Sequence, residues 1–173
     1  MIVYSMITKA TLEDVLELDK LVNSAYRGDS SRQGWTTEAD LLDGTRTDAE
    51  GIAELIETPG TLLLKYVEAA KILGCVELKN ENGKLYLGML TVQPNLQGKG
   101  IGKKLLFEAE AEARNQNCSS IFMTVISARK ELIEWYVRHG YTMTGERKPF
   151  SFTDPRFGQP KMKLEFVVLE KKV

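Results

Sequence analysis

Histidine and cysteine are scarce in this sequence, which has one histidine and two cysteines among 173 residues. Cys75 and Cys118 form neither the spacing of a metal site nor a disulfide framework. His139 cannot build a metal site alone, and its place near a predicted helix end favours a solvated or capping role. We therefore expect no metal site, and a reducing cytoplasm is the compartment that fits best.

The sequence also lacks an excess of charge of either sign. Its 23 basic and 24 acidic residues give a net charge of −1, which gives no reason to expect nucleic acid or an anionic membrane as a partner. No apolar run approaches the length of a membrane-spanning helix, and the N-terminal stretch MIVYSMITKA lacks the basic flank and cleavage site of a signal peptide. We expect a cytoplasmic protein with no membrane partner.

Repeats, linkers and low-complexity segments are missing as well. A chain of 173 residues with 43% apolar residues can bury a sizeable core. We therefore expect a single domain that spans residues 1–173.

One central stretch organises the rest of the chain. Its first part, 85–92, is an apolar run rich in strand formers, and 93–98 is a short polar connection broken by Pro94. From about Lys99 the apolar residues recur every fourth position, as in an amphipathic helix: Ile101, Leu105, Ala109 and Ala113. A glycine-rich turn between a strand and a helix presents unpaired backbone N–H groups, which bind phosphate oxygens.

The glycine spacing excludes two common phosphate-binding motifs. A dinucleotide fingerprint requires a third glycine at position 103, where this chain has Lys103. A P-loop requires one more residue between Gly98 and the Gly102-Lys103 pair, and Lys104 replaces the hydroxyl residue that would hold magnesium. A generic nucleotide-binding domain is therefore disfavoured.

The remaining segments alternate between strand and helix patterns. Strands are predicted over residues 2–9, 61–67, 71–79, 85–92, 120–127, 141–147 and 161–170. Helices are predicted over about 12–26, 37–42, 48–58, 99–116 and 129–139, with polar loops at 27–34 and 148–159. Because 120–127 is apolar on both faces, we expect it to lie beside 85–92 as the parallel partner in a right-handed βαβ unit.

Two motifs carry a resemblance to a known family. The run Gln97-Gly98-Lys99-Gly100-Ile101-Gly102 resembles the Q/R-x-x-G-x-G/A motif of the GNAT superfamily of acetyl-CoA-dependent N-acyltransferases, and Tyr136 to Tyr141 resembles a Tyr-x-x-x-Gly-Phe pattern of many members. The resemblance implies an α/β (α+β) fold. We expect a mixed, mostly antiparallel sheet of six to seven strands, with a central parallel βαβ unit and about four flanking helices.

The resemblance also implies acetyl-CoA as co-substrate, with no metal. The end of the central strand would offer backbone groups to the pantetheine and the thioester carbonyl, and the glycine turn would hold the pyrophosphate. Arg129 stands where members often have Asn and could donate to the pantetheine or a phosphate. The implied cofactor-binding residues are Leu90, Thr91, Val92, Gln97, Gly98, Lys99, Gly100, Ile101, Gly102, Lys103 and Arg129.

Acyl transfer requires a neutral amine, stabilisation of the carbonyl oxygen and a proton for the leaving thiolate. By resemblance, Tyr136 supplies that proton, because a phenol stays protonated at neutral pH. The central strand carries no carboxylate, so the base is left open between Glu77, Glu38 and a water chain. Glu77 on the preceding strand is our candidate.

The leading prediction is an N-acetyltransferase that acts on a primary amine of a small molecule or peptide by direct attack in a ternary complex. A catalytically silent acyl-CoA-binding module of the same fold is the alternative, and a homodimer is left open. An excess of carboxylates between residues 27 and 60 would suit a cationic amine, although capping of helix N-termini is the preferred explanation: Asp29, Glu38, Asp40, Asp43, Asp48, Glu50, Glu54 and Glu57 against Arg27, Arg32 and Arg46.

Overall fold

A seven-stranded sheet forms the centre of the molecule in the computed structural model, which describes residues 4–150 and 156–173. In chain order its strands are β1 (Ser5–Lys9), β3 (Thr61–Glu68), β4 (Lys71–Glu81), β5 (Lys84–Val92), β6 (Ser120–Ile126), β7 (Thr142–Pro149) and β9 (Glu165–Lys172). A second, two-stranded sheet pairs β2 (Leu42–Asp43) with β8 (Gln159–Pro160). The helices of the described residues are α1 (Val15–Tyr26), α2 (Ala49–Glu57), α3 (Ile101–Asn115) and α4 (Lys130–Arg138).

The strand order in the large sheet is β1-β3-β4-β5-β6-β9-β7. Every neighbouring pair is antiparallel except β5 and β6, which are parallel and are connected through α3. The prediction of a mostly antiparallel sheet around one parallel βαβ unit with four helices is therefore confirmed.

The helices cover both faces of the sheet because side chains along each strand point alternately to its two sides. In β3, Leu64 packs in the same cluster as α3, whereas Leu63 packs with residues of α1 and α2. The predicted stripe of α3 is wholly inside: Ile101, Leu105, Ala109 and Ala113 are all buried. Burial of each large aliphatic side chain contributes about 1.5–3 kcal/mol relative to exposure.

The neighbouring strands β5 and β6 separate in the middle of the sheet. The parallel pairing of β5 with β6 is confined to Lys84–Tyr86 opposite Ser120–Phe122, and beyond these residues the two strands diverge. On its other edge β5 has a bulge, where the register against β4 shifts and Met89 takes a positive φ of 51°. A bulge leaves backbone groups outside the ladder and re-aims the strand. The opening therefore lies at the carboxyl half of β5.

The predicted helix over residues 37–42 is wrong. The N–H groups of Leu41 and Leu42 both donate to the carbonyl oxygen of Glu38, which makes a single turn, and Leu42–Asp43 then pairs as β2 with β8. The Thr37 hydroxyl also accepts from the Ala39 N–H at 3.0 Å, a local bond that competes with a helix.

Other differences concern boundaries. The polar loop at 27–34 contains a short 3-10 helix, Asp29–Gln33, and α3 begins two residues later than predicted because Gly100 is its N-cap. The closing strand begins at Glu165 rather than at 161. The start of the predicted strand 2–9 and residues 151–155 of the predicted loop 148–159 lie outside the described residues.

The helices of residues 4–150 and 156–173 are all too short or too polar to cross a membrane. The assignment of the whole chain to one domain stays a prediction.

Candidate functional site

The glycine turn has the backbone conformation that its sequence predicts. Gly98 and Gly100 have φ values of 83° and 89°, which side chains other than that of glycine adopt only with strain. No side chain among the described residues caps the first turn of α3. Its N–H groups therefore remain available to a ligand, at the positive end of the helix dipole.

A groove of about 400 Å³ runs over this turn, and we call it the glycine-turn groove. Lys103 and Arg138 add positive charge to it, and both tryptophans of the chain, Trp35 and Trp135, form its walls with their rings 6.3 Å apart. The predicted cofactor residues that line it are Leu90, Val92, Gln97, Gly98, Gly100, Gly102 and Lys103. A cationic, partly aromatic groove at a helix N-terminus is suited to a phosphorylated ligand.

The side chain of Gln97 forms hydrogen bonds to two segments that line the groove. Its Oε1 accepts from the Trp35 N–H at 3.0 Å, and its Nε2 donates to the Val92 carbonyl at 3.2 Å. A Cβ atom on Gly34 would lie 2.1 Å from that Oε1, so only glycine permits this contact at position 34. The side chain of Gln97 thus joins the loop before β2 to the end of β5.

Four of the predicted cofactor residues do not line the groove. The side chains of Thr91 and Ile101 are buried, and the Thr91 hydroxyl donates to the Met89 carbonyl, so these residues have only backbone groups to offer. Lys99 is exposed beside the turn. Arg129 lies in a different cavity, so its contact with the cofactor stays a prediction that the geometry does not favour.

That second cavity, of about 180 Å³, lies between the diverging strands β5 and β6 and the segment that follows α1. We call it the arginine cavity because Arg27, Arg46 and Arg129 all line it. Glu38 lies among them and accepts hydrogen bonds from Arg27 Nε at 2.9 Å and from Arg129 Nη1 at 3.1 Å. Leu90 and Leu132 line both the groove and this cavity, so the two spaces meet there.

Tyr26 lies between two of these arginines. The guanidinium carbons of Arg46 and Arg129 are 5.4 and 5.6 Å from the centre of its ring, and its hydroxyl donates to the Leu90 carbonyl at 2.9 Å. Burial raises the pKa of Tyr26 to about 12, although both arginines oppose this shift. Tyr26 thus stays protonated at neutral pH and fixes the bulge of β5.

Tyr136, the predicted acid, lines the arginine cavity one helical turn from Leu132 and is buried. Burial raises its pKa above the usual range, helped by the charge of a neighbouring Tyr26 phenolate and opposed by Arg129. The hydroxyl therefore keeps its proton at neutral pH but is a weaker acid than a free phenol. Its role in catalysis stays a prediction that this position supports.

Glu77, the predicted base, lies on β4 opposite Gly88 and lines neither space. Burial raises the pKa of its carboxyl group, with Arg46 opposing the shift, which makes it a better base at neutral pH than an exposed glutamate. Any contact with an amine would run through water. Glu38, the other carboxylate considered, has both oxygens occupied by arginines and is poorly placed to accept a proton.

Sequence reasoning missed several residues of the site. Tyr26, Arg46 and Trp135 line the two spaces without belonging to either motif, and Arg138 lies at an unspecified position of the second motif. His139 caps α4 as predicted, since its Nδ1 lies 2.7 Å from the Trp135 carbonyl oxygen, but it also lines the glycine-turn groove. The polar, irregular character of the segment after α1 pointed to Arg46, whereas Tyr26 is the last residue of the helix itself.

Solved structures share this fold over nearly the whole chain. The ribosomal-protein-S18-alanine N-acetyltransferase of Escherichia coli is 12% identical with a TM-score of 0.73, and the alignment covers 98% of this chain and 94% of that one. The PaiA N-acetyltransferase of Thermoplasma acidophilum, solved in complex with coenzyme A, is 19% identical with a TM-score of 0.69, over 98% and 99% of the two chains. The fold is thus that of N-acetyltransferases.

The sequence identifies the family of the chain. Residues 29–153 match the family model of the acetyltransferase (GNAT) domain, and the chain belongs to this family. An acetyltransferase of Agrobacterium fabrum is 35% identical over 69 residues, which are 40% of this chain and 49% of that protein. A spermine/spermidine N(1)-acetyltransferase of Bacillus subtilis is 31% identical over 68 residues, 39% and 45% of the two chains. The chain spans about half the length of these curated relatives.

Replacement of Gly100 with valine is expected to weaken CoA binding at least ~10-fold. The backbone φ of 89° and the open space beside Gly100 mean that a side chain would strain the turn and project where a phosphate approaches. Gly83→Val is the matched control, because Gly83 has a similar φ of 87° in the β4–β5 hairpin, away from the groove. Titration of the tryptophan fluorescence with CoA measures both variants.

Both substitutions are expected to lower stability by about 1–3 kcal/mol through backbone strain. The loss of CoA affinity is expected only for Gly100→Val. If Gly100→Val binds CoA as tightly as Gly83→Val does, the phosphates bind elsewhere.

Proposed function

We propose that this chain transfers an acetyl group from acetyl-CoA to a primary amine of a small molecule or peptide, by direct attack in a ternary complex. The observation that carries the proposal is the junction at Leu90 and Leu132. There a groove suited to a phosphorylated ligand meets a separate cavity, at a break in the sheet. Two substrates could enter from opposite sides and meet at this point. A thioester supplies a carbonyl carbon that an amine can attack and a thiolate that can leave.

The glycine turn holds the pyrophosphate through the first N–H groups of α3, assisted by Lys103 and Arg138. The bulge of β5 leaves backbone groups outside the ladder, and we assign to one of these N–H groups the stabilisation of the charge on the carbonyl oxygen. The Leu90 carbonyl is held in place by the Tyr26 hydroxyl.

In the transfer step, a bond forms between the amine nitrogen and the carbonyl carbon, and the carbon–sulfur bond breaks. The amine loses a proton to water, with Glu77 as the terminal acceptor. Tyr136 donates a hydrogen bond to the departing sulfur and gives up its proton as negative charge develops there. Solvent then returns a proton to Tyr136. This route does not require Glu38 as a base.

Acetyl-CoA is expected to raise the melting temperature of the protein by about 5–10 °C at 100 times its dissociation constant. A ligand that binds only the native state at this concentration contributes about 2.7 kcal/mol, and each kcal/mol corresponds to about 2–4 °C in a chain of this size. Because both tryptophans line the groove, their fluorescence should change at the same concentrations. Thermal unfolding and fluorescence titration measure the two effects.

ATP and NAD serve as controls, since they share the adenine and phosphate groups but lack pantetheine. Equal stabilisation by all three ligands would contradict the assignment of the groove to CoA. Binding of acetyl-CoA without thiol release, on a panel of amines that includes the polyamines named for the Bacillus relatives, would favour the catalytically silent module.

A further inference from the structure

We infer that the acetyl acceptor carries a carboxylate close to its amine, as a free α-amino acid does, and that Arg46 binds this carboxylate. The inference rests on the proposed function, since it assigns the arginine cavity to the acceptor. It concerns a chemical class of substrate that neither motif of the sequence indicates.

The charges of the cavity favour an anion. Three guanidinium groups line it against one carboxylate, that of Glu38. Glu38 is shared between Arg27 and Arg129, so it compensates for one positive charge and leaves the surplus of the other two. Glu77 also interacts electrostatically with Arg46, and it lies outside the cavity lining. Even when Glu77 is ionised, the cavity keeps a positive balance.

Arg46 is the guanidinium available to a ligand. It is half-buried and stacks on Tyr26, and within residues 4–150 and 156–173 it makes no ion pair. Arginine presents parallel N–H groups that match the two oxygens of a carboxylate. Arg27, in contrast, already donates to Glu38 and to the carbonyls of Thr45 and Phe157.

Arg129 is a second indication that an anion binds in the cavity. Its side chain is 7% exposed, and its Nε is the one buried side-chain polar atom without a hydrogen-bond partner in the described part of the chain. Buried donors are nearly always paired, and an unpaired one is costly. Arg129 Nη1 and Nη2 already donate to Glu38 and Thr36, so an anion in the cavity that this residue lines would supply the hydrogen-bond acceptor that Nε lacks.

Most carboxylates of residues 27–60 lie away from the arginine cavity. Asp48 caps α2 by accepting from the Gly51 N–H at 2.8 Å, as the capping explanation predicts. Asp40 pairs with Arg32, and Asp43 pairs with Lys161. Among the described residues that line the cavity, Glu38 is the one carboxylate, so the acidic excess of the segment does not make the cavity acidic.

The test compares each amino acid with its amide and with the amine that lacks the carboxyl group. Methionine, methioninamide and 3-(methylthio)propylamine form one set, and phenylalanine, phenylalaninamide and phenethylamine form another. A carboxylate beside an ammonium group holds it in the charged form, so the amide has more neutral amine at a given pH. Amine reactivity alone therefore favours the amide, and a preference for the acid must come from binding.

We expect the kcat/KM for acetylation of the acids to exceed that of the amides and amines at least ~10-fold, measured by thiol release from acetyl-CoA. In the presence of CoA, the acids should also raise the melting temperature more than the amides do. Equal or higher kcat/KM with the amides, the amines or spermidine would overturn the inference. A binding preference for the acids with no thiol release in any sample would support the inference and contradict the proposed function.

Arg46→Gln is expected to raise the KM for the acids about 10- to 100-fold, as for the loss of a hydrogen bond between charged groups, and to raise the KM for the amides much less. Arg46→Lys should restore part of the loss. Arg32→Gln is the matched control, because it removes the same charge from an exposed side chain in the same segment. An acid-to-amide ratio unaltered by Arg46→Gln, or altered equally by Arg32→Gln, would contradict the role of Arg46.

Discussion

Replacement of Glu38 with glutamine is expected to lower the free energy of unfolding by about 3–5 kcal/mol. Glu38 accepts from Arg27 and Arg129, and the exposed fractions of the three side chains are between 4% and 8%. Glutamine has the same shape but offers an NH₂ group, a donor, to one of two guanidinium groups that are themselves donors. Both arginines would then keep buried charges without compensation, which is the costly way to break a buried ion pair.

Denaturant unfolding measures this loss, with Asp40→Asn as the control. Asp40 lies two residues after Glu38 and pairs with Arg32, but both side chains are exposed to solvent, so little change in stability is expected there. A Glu38→Gln variant as stable as Asp40→Asn would show that the buried ion pairs do not hold the segment after α1 in place.

Replacement of Tyr136 with phenylalanine is expected to lower kcat by about 10² to 10⁴, the usual contribution of a general acid. The ring and its edge contacts with Trp135 and Tyr141, at 5.1 and 5.7 Å between centroids, are kept. Only the proton at the departing sulfur is lost, so the dissociation constant of CoA should change little. Burial raises the pKa of Tyr136, so the phenol keeps its proton at alkaline pH. We therefore expect that its titration does not lower the wild-type rate as the pH rises.

Tyr141→Phe is the matched control for this substitution. Tyr141 is equally buried, but it lines neither the groove nor the arginine cavity. Its hydroxyl donates to Glu110 at 3.5 Å. Single-turnover rates on an amine that both variants accept separate chemistry from product release. If Tyr136→Phe and Tyr141→Phe both keep the wild-type rate, Tyr136 is a packing residue and the proton comes from water or substrate.

The parts of the fold that local physics determines could be predicted from the sequence. The four-residue stripe of α3 predicts its buried face, because a helical period places these side chains on one side. The positive φ at Gly98 and Gly100 follows from the glycines themselves. The conformation of the glycine turn could therefore be predicted before its position in the fold was known, and its binding of phosphate stays a prediction.

The arginine cavity could not be predicted, because its contacts join residues far apart in the chain. Arg129 meets Glu38 across 91 positions, and the Tyr26 hydroxyl meets the backbone carbonyl of Leu90 across 64. The same tertiary contacts explain the wrong helix at 37–42, where pairing of Leu42–Asp43 with Gln159–Pro160 replaces local propensity. The bulge at Met89 likewise depends on β4, which the pattern of β5 alone does not show.

The most direct test of the central claim follows a labelled acetyl group. The protein is incubated with acetyl-CoA deuterated in the acetyl group and with a pool of amino acids, amides, polyamines and short peptides. Mass spectrometry then identifies every amine that gains the label, and thiol release is counted in parallel. We predict one labelled N-acetyl product for each free thiol, at a rate that Gly100→Val and Tyr136→Phe both reduce. Binding of acetyl-CoA with no thiol released and no labelled amine would contradict the account.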